Sequence, residues 1–442
     1  MHLLTRRWSI FGILIVLLGL GAWHAFPSVV SDSAHARTTK PGDATTPITH
    51  IVIMVKENRT YDTMFGTFPG ANGATTYTDQ HGNVHPLNHE PDYLKVDLGH
   101  DWKHANLTYD NGKMDKFSLN SNSHQNGIDV SDAQFYQSDI PNYWQYAQTF
   151  ALTDNFFSNI MGPSYANHFF TIAGEDDNVD GVVRNGYKKH HQTGLGCDSP
   201  PGVLVEERDQ NNHVKDVYPC FSYQTLADLL DAANISWKYY APPQGSPGYV
   251  WSTYDSISQI RNGPDWTKNV VSDKQFATDA ASGNLPTVSW LVQDGGISDH
   301  PPHSICDGEN WTVSQINAVM SNSPLWNSTA IFLTWDDWGG FYDHVAPPRG
   351  PNSVIEFGFR VPTIIISPYA QAGYVDDTFY SFSSILKFVE DDYSLPPLTQ
   401  LDGGSNDMFN AFNFSQQPLQ PLILQQRTCP KHPNIPDVPY DD

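Results

Sequence analysis

The chain has 442 residues, of which 39% are apolar and 13% aromatic, a share that suits one large folded core or two ordinary ones and excludes wholesale disorder. Lys and Arg number 24 against 48 Asp and Glu, for a formal charge of -24 at pH 7. So acidic a chain lacks the cations to hold nucleic-acid phosphates by releasing counterions, and lasting contact with an anionic membrane surface is disfavoured for the same reason.

At the start, Arg6 and Arg7 precede an uncharged apolar run from Trp8 to Phe26, and small and polar residues follow, ending in Ala34-His35-Ala36. Residues 1–36 therefore read as an export signal, with "TRRWSI" partly resembling the twin-arginine type. The run is also long enough to span a bilayer, so a retained membrane anchor is the alternative. Under either reading the bulk of the chain lies outside the cytoplasm, secreted or at the cell surface. Residues 37–47, "RTTKPGDATTP", read as a tether.

The first strong strand follows at once, "ITHIVIMVKE" (48–57), with an apolar run from Ile51 to Val55 that gives way to Glu57, Asn58, Arg59, Thr60 and Asp62. Further on, "YANHFFTIAG" (165–174), "SYQTLADLLDAAN" (222–234), "WTVSQINAVMSN" (311–322) and "SFSSILKFVEDDY" (381–393) read as helices. Between and after them, "ISWKYYAP" (235–242), "PTVSWLVQD" (286–294), "TAIFLTWDD" (329–337) and "VPTIIISPY" (361–369) read as strands buried on both faces. Alternation of this kind predicts an α/β fold, a mostly parallel central sheet flanked by helices. Two polar stretches, about 70–135 and 175–220, read as long loop insertions. No repeat or linker divides the middle of the chain, so 48–428 is expected to be one catalytic domain, with 429–442 a tail held by Cys429. Four cysteines allow three pairings, and the polar loop between Cys197 and Cys220 favours a bridge there. The partners of Cys306 and Cys429 stay open. With no CxxC pair, a cysteine metal site is not expected.

In open parallel sheets the chemistry gathers beyond the carboxyl ends of strands. Two strands end alike: one delivers Glu57 and Asn58, the other Asp336 and Asp337, followed by Gly339-Gly340, Asp343 and His344. Consecutive residues of a regular strand face opposite ways, so a pair can serve one site only where the strand has ended, and the glycines permit that turn. Three carboxylates and an amide oxygen make a hard site for one divalent cation. Against this stands the plain reading in which Asp336 and Asp337 cap a helix and Glu57 pairs with Arg59. Ser164, after the Gly162-Pro163 break, reads as a helix N-cap whose hydroxyl is a candidate nucleophile; simple capping is its other reading, and Thr60 is the rival nucleophile. "DLGHDWKHAN" sets His100 and His104 on one face if helical, and "SDHPPHS" sets His300 and His303 in an exposed loop.

Together, "HIVIMVKENRTYDTMFG", "LGHDW", "NGKMDKF", "GPSYANHFFTIAG", "SDHPP", "TWDDWGGFYDHVAPP", "GFRVPTIIISPYAQAGYV" and "FNAFNFSQQP" resemble, over about residues 48–415, the bacterial phosphoesterase family that holds secreted phospholipases C and an acid phosphatase, within the alkaline phosphatase-like superfamily. The resemblance implies Glu57, Asn58, Asp336 and Asp337 as metal ligands and Ser164 as nucleophile. It also implies His100 and His300 at the phosphoryl or leaving group, and Asn167 and His168 at the substrate. Asp343 and His344 are then supporting, as is the hydroxyl of Thr60. The chain departs from the family where His168 replaces a frequent Arg, Asp337 a frequent Glu and Asn413 a usual Asp.

The sequence thus leads to the expectation of a secreted metal-dependent phosphoesterase working through a phosphoseryl intermediate, with Mg, Mn or Ca favoured and Fe or Zn possible. Its substrate is a small phosphate ester or, alternatively, a phosphatidylcholine-type lipid. A membrane enters only through the N-terminal segment, if that segment is retained. The reading from another class is a secreted binding protein that retains a structural ion.

Overall fold

His50–Lys56 (β1) is buried along nearly its whole length, and its neighbours explain why. Around it lie Ala151–Thr153 (β2), Trp237–Ala241 (β3), Val270–Ser272 (β4), Val288–Val292 (β5), Thr329–Trp335 (β6), Thr363–Ile366 (β7) and Tyr374–Asp376 (β8), in the sheet order β4-β3-β5-β1-β6-β7-β2-β8. Every pairing is parallel except those of β7, which runs against both β6 and β2. The mostly parallel α/β sheet expected from the apolar runs is thus the sheet observed. Its three-residue members β2, β4 and β8 are too short to show a period. This computed structural model describes residues 42–181, 183, 195–209, 211, 213–348 and 357–433. The expected export segment, the tether up to residue 41 and the tail beyond residue 433 lie outside the described residues.

β1, β5 and β6 are buried along nearly their whole lengths, and residues from both of their faces join one apolar core. Six helices matter for the site: Tyr61–Phe65 (α1), Trp102–Tyr109 (α2), Ser164–Phe169 (α3), Leu226–Ala232 (α4), Ile305–Met320 (α5) and Phe382–Asp392 (α6). α4 and α6 start where Thr225 and Ser381 form capping boxes, as their sequences predict. α5 begins earlier than the predicted Trp311, because the Ser304 side chain accepts from Asp307 N and starts the helix there.

The 70–135 stretch is anchored by two small apolar clusters. Phe117 packs against Trp338, Tyr342 and Phe359, and Leu94, Leu98 and Val130 pack around Phe341, so this stretch closes over the turn that follows β6. Cys197 pairs with Cys220 as expected, and the open question of the other two is answered by a Cys306–Cys429 bridge that ties the tail to the start of α5. Among the described residues no helix is long and apolar enough to cross a membrane.

Candidate active site

Register builds the first half of the site. The last β1–β6 pair is Lys56 with Trp335, so Glu57-Asn58 and Asp336-Asp337 leave the sheet side by side. Asp336 N donates to Lys56 O at 3.0 Å, and Asn58 N donates to Asp336 Oδ1 at 2.8 Å. Asn58 takes a left-handed φ of 62°, which its short amide tolerates better than a branched side chain would. Opposite it, Gly339 has φ 60°, and a Cβ there would lie 2.5 Å from the Asn58 carbonyl oxygen. The two chains can approach this closely only with glycine at 339.

Helix α3 builds the second half. Ser164 is its first residue, and Pro163, not Ser164, occupies the cap position, which corrects the expected N-cap assignment. The hydroxyl is therefore free of capping and lies 3.2 Å from both Asn58 Oδ1 and Asp337 Oδ2, with one proton to give to either. One turn along the same face, His168 Nε2 lies 3.1 Å from Glu57 Oε1 and 3.7 Å from Asp336 Oδ2. Burial pushes the His168 imidazole down to about 4, with Asp336 opposing the shift, so the ring is neutral at neutral pH.

The acids do not cap a helix: Asp336 accepts from Asn58 N, and Asp337 Oδ1 accepts from Gly339 N at 2.7 Å. Nor does Arg59 turn to Glu57. It donates to Asn58 O at 2.8 Å and lies over the Phe341 ring, while Lys56 Nζ stands 3.4 Å from Asp299 Oδ1 on the far side. One donor atom each from Glu57, His168 and Asp336 lies within 4.8 Å of the others, all fully or almost fully buried. Asp336 Oδ2 has no hydrogen-bond partner among the described residues. Buried carboxylates converging beside a neutral imidazole, with both adjacent cations committed elsewhere, fit a divalent cation.

The histidines are placed differently from expectation. His100 precedes α2 because Asp101 caps that helix, so His100 and His104 do not share a helical face. His100 Nδ1 donates to Leu98 O at 2.8 Å, leaving Nε2 to accept from Asn58 Nδ2 at 3.1 Å, whereas His104 turns to Asp101 and Ser121. His300 and His303 are buried, not exposed. The His300 ring meets that of His100 edge to face with centroids 5.7 Å apart, and Trp251 covers it. Burial, reinforced by His100, holds His300 well below the usual imidazole value.

Asn167 is spent on the loop before the helix: its amide donates to Ile160 O, Gly162 O and Pro163 O, and its oxygen accepts from Ile160 N. Thr60 caps α1 and donates to Tyr342 O at 2.6 Å. Asp62, Asp343, His344 and Arg360 form a separate network in which Arg360 reaches both acids and His344 Nδ1 bonds Asp62. Sequence reasoning missed Asp97, whose carboxylate lies 3.7 Å from His100 Nδ1 and 3.8 Å from His300 Nε2, and Gln293, which donates to Glu57 at 3.3 Å. The position of Gln293, just past β5, carried the same strand-end signal as Glu57.

The Phosphoesterase family model matches residues 48–396. Phospholipase C A of Mycobacterium tuberculosis is 24% identical over 88% of this chain and 81% of that protein, and a non-hemolytic phospholipase C of Burkholderia pseudomallei is 26% identical over 90% and 63% respectively. Among solved structures, a protein in the alkaline phosphatase superfamily from Vibrio parahaemolyticus is similar with a TM-score of 0.38 and 11% identity, covering 84% of this chain and 70% of that one. With its family model spanning most of the described sheet and both halves of the site, the chain belongs to the Phosphoesterase family and is a hydrolase acting on phosphoric ester bonds.

Proposed function

We propose that Ser164 is the nucleophile of an exported, metal-dependent phosphoesterase and that the ester is cleaved through a phosphoseryl intermediate. The observation carrying this reading is the Ser164 hydroxyl, buried and 3.2 Å from both Asn58 Oδ1 and Asp337 Oδ2. Glu57, Asn58, Asp336 and Asp337 would hold the cation. When bound, the ion lowers the cost of the serine alkoxide and of charge on the phosphoryl oxygens. Ser164 Oγ gives up its proton and bonds to phosphorus as the ester P–O bond breaks, and the released alcohol takes a proton. Water then cleaves the phosphoserine, restoring the hydroxyl and releasing phosphate or a phosphate monoester. Through Asn58, His100 orients the oxygen that faces Ser164, and His300, covered by Trp251, is set to hydrogen-bond the phosphoryl or leaving group.

Soluble phosphate esters and phospholipid headgroups share this phosphoryl chemistry. The names of the relatives favour the lipid. Two disulfides suit an oxidising compartment and support export by the N-terminal segment. Purified protein assayed on p-nitrophenyl phosphate and on phosphatidylcholine tests the reading, with acid-quenched samples mapped for phosphoserine. Ser164→Ala should lose about 10³-fold or more in kcat while keeping its fold. Wild-type activity on the better substrate with label on another residue, or full activity of Ser164→Ala, refutes it.

A further inference from the structure

Resting on that reading for the presence of a cation, we propose that His168 is itself a ligand, through Nε2. The centre is then a mixed nitrogen and oxygen site, selective for a borderline ion such as Zn or Fe over the hard ions Mg and Ca. Ser164 and His168 stand one helical turn apart, so a helix that aims the first at the Asn58–Asp337 pair also aims the second at the Glu57–Asp336 pair.

The distances suit neighbouring ligands. Donors at about 2.0–2.2 Å from one ion are separated by about 3.0–3.6 Å, depending on geometry. His168 Nε2 lies 3.1 Å from Glu57 Oε1 and 3.7 Å from Asp336 Oδ2. A hydrogen bond explains the first contact but not the second, which is too long. Asp336 Oδ2 nevertheless has no hydrogen-bond partner among the described residues, while its other oxygen is occupied by Asn58 N. A buried carboxylate oxygen facing an imidazole nitrogen across this gap needs a shared positive body. Glu57 Oε1 already accepts from Gln293 Nε2, so it does not depend on His168 for a donor. His168 Nδ1 has no partner among the described residues, so no protein bond prevents the ring proton from sitting there while Nε2 turns its lone pair to the ion.

The test loads the whole mature protein with Mn²⁺ and records electron spin-echo envelope modulation, which detects directly coordinated nitrogen. Wild type should bind one Mn²⁺ and show imidazole ¹⁴N coupling. His168→Gln should lose the coupling, and its Zn²⁺ affinity should fall on the order of 10- to 100-fold, more than its Mg²⁺ affinity. His100→Gln and His300→Gln, which alter the neighbouring Asp97–His100–His300 group, should each keep the coupling, which leaves His168 as the nitrogen even where His168→Gln does not fold. Stoichiometric Mn²⁺ without nitrogen coupling, or coupling that survives in folded His168→Gln, overturns the assignment of His168 and leaves the phosphoesterase reading standing. Failure of the wild type to bind any of these ions overturns both.

Discussion

Asp299→Asn isolates one buried charge behind the active site. Asp299 and Lys56 are both fully buried, with Asp299 Oδ1 3.4 Å from Nζ. Asp299 Oδ2 accepts from Tyr143 OH at 2.9 Å and from Trp335 Nε1 at 3.1 Å, while Lys56 also donates to Ile297 O at 2.7 Å. The backbone at 299 has φ 76°, a conformation Asn adopts as readily as Asp, so the substitution removes charge with little change of shape. Breaking one side of a buried pair costs about 3–5 kcal/mol. An upper bound comes from discharging the orphaned lysine, which from its ordinary value to pH 7 costs just under about 5 kcal/mol. Burial already pulls Lys56 below its ordinary value, and two carbonyls remain on Nζ, which puts the expectation near the lower figure, about 3 kcal/mol. Guanidinium chloride unfolding reads it out. Lys56→Met added to Asp299→Asn should recover part of the loss by removing the stranded charge. Because Asp299 precedes His300 and Ser298 O accepts from Glu57 N, kcat should fall as well. A loss below about 1 kcal/mol in the single variant, or none recovered in the double, would refute the reasoning.

Gly339→Ala should cost at least about 1–2 kcal/mol from the left-handed backbone alone. Its new Cβ, 2.5 Å from the Asn58 carbonyl oxygen, should displace Asn58 and lower kcat about 10²-fold, read by steady-state kinetics beside a melting curve. Cys429→Ser opens a loop spanning 123 residues and should cost about 5 kcal/mol by chain entropy, against about 3 kcal/mol for Cys220→Ser across 23; equal losses in denaturant would count against that ordering. Burial pushes Asp176 and Asp255 up to about 8 and Glu390, beside Asp402, up to about 9, and burial with the neighbouring Asp129 also raises Asp132. These groups keep their protons in the fold and lose them in the unfolded chain near pH 4, so their contribution is full below that pH and is lost as pH rises through 8 and 9. Melting temperature should fall from pH 5 to 9, and Glu390→Gln should flatten the alkaline part of the slope.

Much of the fold was legible because burial on both faces leaves continuous apolar runs, and β1, β3, β5, β6 and β7 all came from such runs. Strands β2, β4 and β8 were not, since their pairing comes from neighbours already in place. Local rules misplaced the histidines in two ways. Asp101 caps α2, which begins at Trp102, two residues past His100, and "SDHPPHS", polar and proline-rich, lies buried beneath Trp251. The pairing of Ser164 with His168 was visible as helical spacing, but nothing local said which carboxylates each would meet.

From the amino-acid order alone come the strand that must be buried, the polar pair at its end, the glycines that let the chain turn, and the break before Ser164. These follow from side-chain size, polarity and backbone freedom within a few residues. That Ser164 meets Asn58, 106 positions earlier, and that His168 meets Glu57 and Asp336, was decided only by tertiary structure. β1 and β6 had to pair in one register and α3 had to dock across their ends, and both depend on packing energy summed over the whole sheet.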